Sequence, residues 1–69
     1  MNTQIGYRIV VGEIGNEIGH ITDTRCRSIE GARRRARQLL APYRGDGWAV
    51  ICDIIESAGD RQYPRVERM

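Results

Sequence analysis

The sequence predicts a single α+β domain, residues 1–69, in which one helix packs on one face of a four-stranded, mainly antiparallel sheet, in the order ββαββ. Apolar residues at alternate positions predict strands towards each end of the chain, and turn signals divide each end into a hairpin. Between the hairpins, apolar residues at a spacing of three and four predict the helix. So short a chain buries only about 60% of its unfolded surface, so we expect a thin core.

Two extended segments joined by a tight turn open the chain. The first, Ile5 to Ile14, is rich in β-branched residues at alternate positions. Gly15-Asn16 follows as a two-residue turn signal, because glycine readily adopts a positive φ. The returning strand is therefore predicted from Glu17 to Cys26.

This turn sets the register of the first hairpin. Counting outward from it, Arg8 lies opposite Asp23 as a favourable charge pair, and His20 lies opposite Val11. His20 is the only histidine, and it belongs to no recognised catalytic signature. We therefore expect it to be an ordinary strand residue.

A helix is predicted from Ser28 to Ala41. Ser28 is a favourable N-cap, Glu30 places a negative charge in the first turn, and Pro42 stops the helix. The predicted core-facing stripe consists of Ile29, Ala32, Ala36, Leu39, Leu40 and Tyr43. Because its centre is built on alanine, we expect the helix to lie close to the sheet.

The second hairpin contains the most apolar strand. Trp48 to Ile55 is apolar at both alternations except at Asp53, as in a central strand covered on both faces. Residues 57–60 turn the chain, and Pro64 confines the last strand, Arg61 to Glu67, to an edge. The expected strand order is therefore 2-1-3-4.

One helix covers only one face of a four-stranded sheet. The other face, with apolar groups from the central strands, is expected to stay open for a second copy of the chain or for a partner. If Asp53 points to that face, it needs an arginine or a donor from the partner. We expect Trp48 and Tyr43 to close the end of the core.

The chain has eleven arginines and no lysine, and the arginines are concentrated in and just before the helix. Residues 27–41 carry five arginines and one glutamate, whereas the rest of the chain has a net charge of −2. This array is suited to phosphates or to an acidic protein surface, and the alternative is a solvated helix face. The candidate helix residues are Arg33, Arg34, Arg35 and Arg37, joined by Arg27 if nucleic acid is the ligand.

A second candidate site lies on the last strand. Tyr63 stands between Arg61 and Arg65, and tyrosine and arginine are enriched at binding hot spots. The alternative is an ordinary edge strand.

Several function classes find no support in the sequence. There is no phosphate-binding glycine loop, no metal-ligand cluster and no nucleophile–base pair, so we expect neither an enzyme nor a cofactor. Cys26 and Cys52 are expected to be reduced and buried, although a disulfide is the alternative. No apolar run reaches the roughly 20 residues of a membrane span and no signal peptide is visible, so we expect a cytoplasmic protein without a membrane partner.

The order of elements resembles that of small accessory proteins of bacteriophages and mobile elements, including some type I anti-CRISPR proteins. The resemblance is carried by the ladder Ser28, Ala32, Ala36, Leu40 with interleaved arginines, followed by Gly47-Trp48-Ala49-Val50 at the start of a strand. It implies a non-enzymatic protein that inhibits a CRISPR surveillance complex of the host by covering the surface that receives nucleic acid. A small nucleic-acid-binding domain that uses the arginine-rich helix is the alternative. A homodimer would occupy the open sheet face and leave the arginine-rich helix as the candidate binding site.

Overall fold

The computed structural model describes residues 2–69 and confirms the α+β class. The elements in chain order are β1 (Thr3–Glu13), β2 (Ile21–Cys26), α1 (Ile29–Leu40), a 3-10 turn (Ala41–Tyr43), β3 (Gly47–Ser57), β4 (Asp60–Gln62) and β5 (Arg65–Arg68). Within residues 2–69, the helical segments are too short or too polar to span a lipid bilayer. One helix therefore packs against a single five-stranded sheet.

The strand order confirms the predicted arrangement. The sheet runs β2-β1-β3, and both β4 and β5 pair antiparallel with β3 along the edge that faces away from β1. The last strand, predicted as one segment, is divided in two around Pro64, which has no N–H to donate. Its carbonyl still accepts a hydrogen bond of 2.9 Å from the backbone N–H of Asp53, so the edge stays attached between the two short strands.

The predicted register of the first hairpin is wrong by one residue. Asp23 lies opposite Ile9 instead of Arg8, and Val11 lies opposite Ile21 instead of His20. Directly opposed residues of an antiparallel pair point to the same face of the sheet. Asp23 therefore points to the helix side together with Ile9, and Arg8 loses the charge partner that was predicted for it.

The shift arises in the loop of residues 14–20, which replaces the predicted two-residue turn. The side-chain oxygen of Asn16 accepts a hydrogen bond of 3.0 Å from the backbone N–H of Ile18. The backbone N–H of Asn16 donates to the carbonyl of Glu13 at 3.0 Å. Such a local asparagine turn competes with strand pairing. As a result β2 begins at Ile21 and not at Glu17.

The helix begins where its sequence predicts. Ser28 is extended at the N-cap, and its Oγ accepts a hydrogen bond of 3.1 Å from the N–H of Gly31. The helix ends at Leu40, and the chain continues as a 3-10 turn that contains Pro42. Its small core-facing residues allow the helix axis to lie close to the sheet.

The core lies between the helix and one face of the central strands. The residues with no exposed surface are Ile9, Val11, Ala32, Ala36, Ala49 and Ile51. Each helix alanine is completely buried, so even one added methylene there would push the helix away from the sheet. The remaining residues of the predicted stripe pack around this centre as partly buried side chains.

The N-cap gives a first test of the fold. Ser28→Ala removes the acceptor for Gly31 and should lower the free energy of unfolding by about 1 kcal/mol. Ser28→Asp is the matched control, because a carboxylate also accepts that bond and suits the helix N-terminus. Chemical denaturation of the three proteins checks this, and equal losses in both variants would contradict a capping role.

Candidate binding surface

Two of the predicted helix arginines tie the helix to the sheet. Arg33 donates to both carboxylate oxygens of Glu67 in β5, from Nε at 3.0 Å and from Nη2 at 2.8 Å. Arg35 donates from Nε to Asp23 in β2 at 3.0 Å. The hydrogen bonds from Arg33 lower the pKa of Glu67. Both arginines are therefore already satisfied within the chain and are poor candidates for a partner's charge.

Asp23 is the only buried charged residue among residues 2–69, with 7% of its surface exposed. Its carboxylate accepts hydrogen bonds from the backbone N–H of Arg25 at 2.9 Å, from the Arg25 guanidinium at 3.3 Å and from Arg35. These bonds, the backbone one first, lower the pKa of Asp23 from 3.8 to about 2. A carboxylate held so firmly in its charged form is a structural anchor and a poor general base.

Acid stability tests this anchor. Because the pKa of Asp23 is lower in the folded chain than in the unfolded one, its contribution is complete above about pH 4 and is lost as the pH falls towards 2. Asp23→Asn should cost about 1.5–3 kcal/mol at neutral pH, the range for a hydrogen bond to a charged group. Thermal melts of both proteins across the acid range should converge near pH 2. Asp46→Asn, with an exposed side chain, is the control, and an Asp23→Asn curve parallel to the wild type would contradict this role.

The other helix arginines face solvent as predicted. Arg34 and Arg37 are exposed, and neither forms an ion pair with any residue between 2 and 69. Arg27, before the helix, is exposed in the same way. The cationic array available on the helix side is therefore smaller than the sequence indicates.

The sheet face opposite the helix is defined by strand register. In β1 and β3, Val10 lies opposite Val50, and Arg8 lies opposite Cys52. On the other side of β3, β5 places Arg68 opposite Val50 and Arg65 opposite Cys52. We call it the outer sheet face; it consists of Arg8, Val10, Trp48, Val50, Cys52, Ile54, Glu56, Arg61, Tyr63, Arg65 and Arg68.

The chain covers part of this face itself, so the expectation of a wholly open apolar face is wrong in part. Cys52 is only 8% exposed and Ile54 only 3%, although both point away from the helix. Val10 and Val50 remain half-buried. The apolar surface left for another molecule is thus centred on the two valines.

Trp48 was predicted to close the end of the core. It instead covers one end of the outer sheet face. Its Nε1 donates to the carbonyls of Glu13 at 3.0 Å and Asn16 at 2.8 Å. The indole lies so close to Gly12 that a Cβ there would be 2.5 Å from the ring. Tyr43 packs against the core on the helix side, as predicted. Trp48 therefore holds the loop of residues 14–20 down on the outer sheet face.

Tyr63 takes part in a cation–π contact within this face. The Arg8 guanidinium carbon lies 4.3 Å from the centre of the Tyr63 ring, which is 39% exposed. The Arg8 Nε is buried and has no hydrogen-bond partner among residues 2–69. Of the neighbouring candidates, Arg61 donates to Glu56 at 3.1 Å, whereas Arg65 is exposed.

Asp53 does not belong to the outer sheet face. It lies opposite Tyr7 at a position of β3 that alternates with Val50 and Cys52, so it points to the helix side. It is half-buried, and Gln4 Nε2 lies 3.5 Å from its Oδ1. Asp53 therefore does not point to the open face, the condition under which the sequence predicts that it needs an arginine or a partner's donor.

The two cysteines point to opposite faces of the sheet. Cys26 lies opposite Tyr7 on the helix side, whereas Cys52 lies on the outer sheet face two strands away. A separation of two strands, about 10 Å, exceeds the reach of a disulfide. Cys52 is buried as expected, and burial raises the pKa of its thiol, but Cys26 is only half-buried. No group of histidine, cysteine and carboxylate side chains within residues 2–69 is arranged to hold a metal ion.

A cavity of about 500 Å³ opens between the loop and the outer sheet face. Its lining residues are Ile14, Gly15, Asn16, Glu17, Trp48, Val50 and Arg68. The sequence did not predict this cavity, because it depends on the loop folding back over Trp48.

Three arginines of the outer sheet face, Arg8, Arg65 and Arg68, form no ion pair with any residue from 2 to 69. The sequence directed attention to the helix arginines, and Arg8 and Arg68 were missed; only the strand alternation could have placed them.

Comparison with protein-family models, curated proteins and solved structures finds no match. The function is therefore inferred from the geometry and charge of this surface.

Proposed function

We propose that the chain is a non-enzymatic binding protein whose outer sheet face docks on an acidic surface of a partner protein. The observation that carries this proposal is the arrangement of Arg8, Arg65 and Arg68, which have no acidic partner among residues 2–69, around the half-buried Val10 and Val50. An apolar centre with a charged rim is the usual anatomy of a protein interface.

The apolar centre favours a protein partner over nucleic acid. Burying valine against apolar atoms yields about 25 cal/mol per Å², whereas a phosphate backbone offers it no comparable gain. Sheets that bind single strands present aromatic rings for base stacking. Here the Trp48 ring packs on Gly12 with its N–H bound to the loop, and one face of Tyr63 is covered by Arg8.

Two groups that could serve in catalysis have other roles. The Asp23 carboxylate is engaged by Arg25 and Arg35, which keep its pKa far below the range of a general base. His20 lies in the exposed loop, where its Nε2 is 3.1 Å from the side-chain nitrogen of Asn16. These positions support a binding role for the chain.

The resemblance to phage inhibitors of defence complexes implies docking on the surface that receives nucleic acid, and the charge of the outer sheet face changes that expectation. A CRISPR effector holds its nucleic acid in a positively charged channel. A docking face that carries Arg8, Arg65 and Arg68 is not complementary to such a channel. If the partner is a surveillance complex, the charge favours an acidic patch on one of its protein subunits.

A second copy of the chain is a less favourable occupant of the same face. Symmetric contact would place Arg8, Arg65 and Arg68 against the same arginine-bearing face of the second copy, without a matching set of free carboxylates. Glu56, which points to the same side in β3, is already bonded to Arg61. The charge on the outer sheet face therefore disfavours self-association through it.

Nucleic-acid binding through the helix is the second candidate. It is favoured by the exposure of Arg27, Arg34 and Arg37, none of which forms an ion pair within residues 2–69. Phosphate contacts by these residues would give binding that weakens steeply with salt and does not depend on sequence.

Charge reversal on each side of the molecule separates the two candidates. Arg65→Glu/Arg68→Glu alters the outer sheet face, and Arg34→Glu/Arg37→Glu makes the same charge change on the helix. Each tagged protein is used to capture partners from a nuclease-treated lysate of cells that encode the chain. We expect the helix variant to retain the partner protein recovered by the wild type, and the sheet variant to lose it at least about tenfold, since buried interface charge pairs contribute roughly 2 kcal/mol or more.

Circular dichroism and thermal melts serve to check that both variants are folded before their capture is compared. A parallel capture from untreated lysate tests the nucleic-acid candidate: a partner that the wild type recovers only from untreated lysate, and that the helix variant alone loses, would support it instead. Failure of the wild type to retain any protein at low salt would reject docking on a protein.

A further inference from the structure

The cavity beside the loop lies at the Trp48 end of the outer sheet face. Trp48 and Val50 form its apolar base, Ile14 stands on the loop side, and Arg68 stands on the side of β5. Its volume of about 500 Å³ lies in the range of pockets that bind small ligands or single side chains.

Hydrogen bonds hold the walls of the cavity in place. The Trp48 indole is fixed to the loop by its two bonds to backbone carbonyls. The N–H of Ile14 donates to the carbonyl of Asp46 at 2.7 Å, which ties the loop to the segment before β3. The Ile14 side chain nevertheless remains 64% exposed. A partner group would therefore enter a prepared site and cover an exposed apolar side chain.

The charges of the cavity select what enters. Arg68 lies opposite Val50 and forms no ion pair within residues 2–69, so its guanidinium is free to bind a carboxylate at two points. Glu17 also lines the cavity, but on the loop. An anionic group is attracted to the β5 side and repelled from the loop side, which gives the occupant one preferred orientation.

We infer that this cavity receives an apolar side chain of the partner protein that has a carboxylate beside it. The apolar group packs between Trp48 and Val50, and the carboxylate binds Arg68. The inference rests on the proposed function and deepens it, because it names the part of the acidic partner that anchors the interface.

Small compounds with one apolar group test the cavity without the partner. Isocaproate carries a branched alkyl group and a carboxylate, and isocaproamide and isoamylamine are its neutral and cationic counterparts. Titration is followed by amide NMR spectra, and the indole N–H of the only tryptophan reports directly on the base of the cavity. We expect millimolar binding, as suits a ligand of about eight non-hydrogen atoms, with isocaproate at least about fivefold tighter than the amide.

Matched variants locate the charge preference. Arg68→Gln should remove the advantage of isocaproate over the amide, whereas Arg65→Gln, on the same face outside the cavity, should leave it unchanged. Glu17→Gln should leave isocaproate binding unchanged or strengthen it. The dispersion of the same spectra checks that each variant is folded.

Three results would overturn the inference: no shift at Trp48 with any compound, isoamylamine binding as tightly as isocaproate, or a carboxylate preference that survives Arg68→Gln. If these appear while the charge-reversal capture succeeds, only the cavity is excluded as the anchor and the docking face stands. If the capture fails while isocaproate binds, the cavity is a site for small apolar acids and the proposed protein docking is rejected.

Discussion

The area that one short helix can cover is the constraint on which the rest of the molecule depends. The helix meets the sheet through Ala32 and Ala36, and this contact seals one face of the central strands. The second face of the same strands carries further apolar side chains, and no second helix lies within residues 2–69 to cover them. The chain reduces this exposure with Trp48 at one end and the Arg8–Tyr63 contact at the other. What stays uncovered is a small apolar centre bordered by cations, a pattern that suits reversible docking.

The distribution of carboxylates decides which arginines are available. Asp23 and Glu67 lie on the helix side of the edge strands, where they engage Arg35 and Arg33. Two of the helix arginines form ion pairs that fix the helix to the edges of the sheet. Among residues 2–69, the helix itself therefore carries fewer unpaired arginines that a partner could bind than the outer sheet face does. The outer sheet face has one carboxylate within β3, Glu56, and it is already paired. The net charge of +2 for the whole chain thus conceals a strongly basic face.

Although the start of β2 and the division of the last strand were not predicted, periodicity and residue type were sufficient to predict the helix, its cap, its core-facing stripe and the strand order. Those features follow from local spacing and from residues such as Ser28 and Pro64, whose effects act within one turn of chain. The binding surface depends on register and on loop shape, which are set by long-range contacts. Asn16 folds its loop through its own side chain, and Trp48 reaches 32 residues back along the chain to bind it. Neither contact has a signal in residue spacing, so the shape of the loop and the cavity beside it could not be predicted.

The one-residue shift in the first hairpin links loop geometry to function. In the predicted register Arg8 would lie beside Asp23, and the two charges would largely neutralise each other. The asparagine turn instead moves Asp23 to the helix side, where Arg35 reaches it, and leaves Arg8 stacked on Tyr63 without an anionic partner among residues 2–69. A slip of one residue exchanges the two faces of a strand. The loop of residues 14–20 therefore does more than join two strands: it anchors the helix through Asp23, and it gives the outer sheet face the unpaired charge with which we propose it recognises an acidic partner.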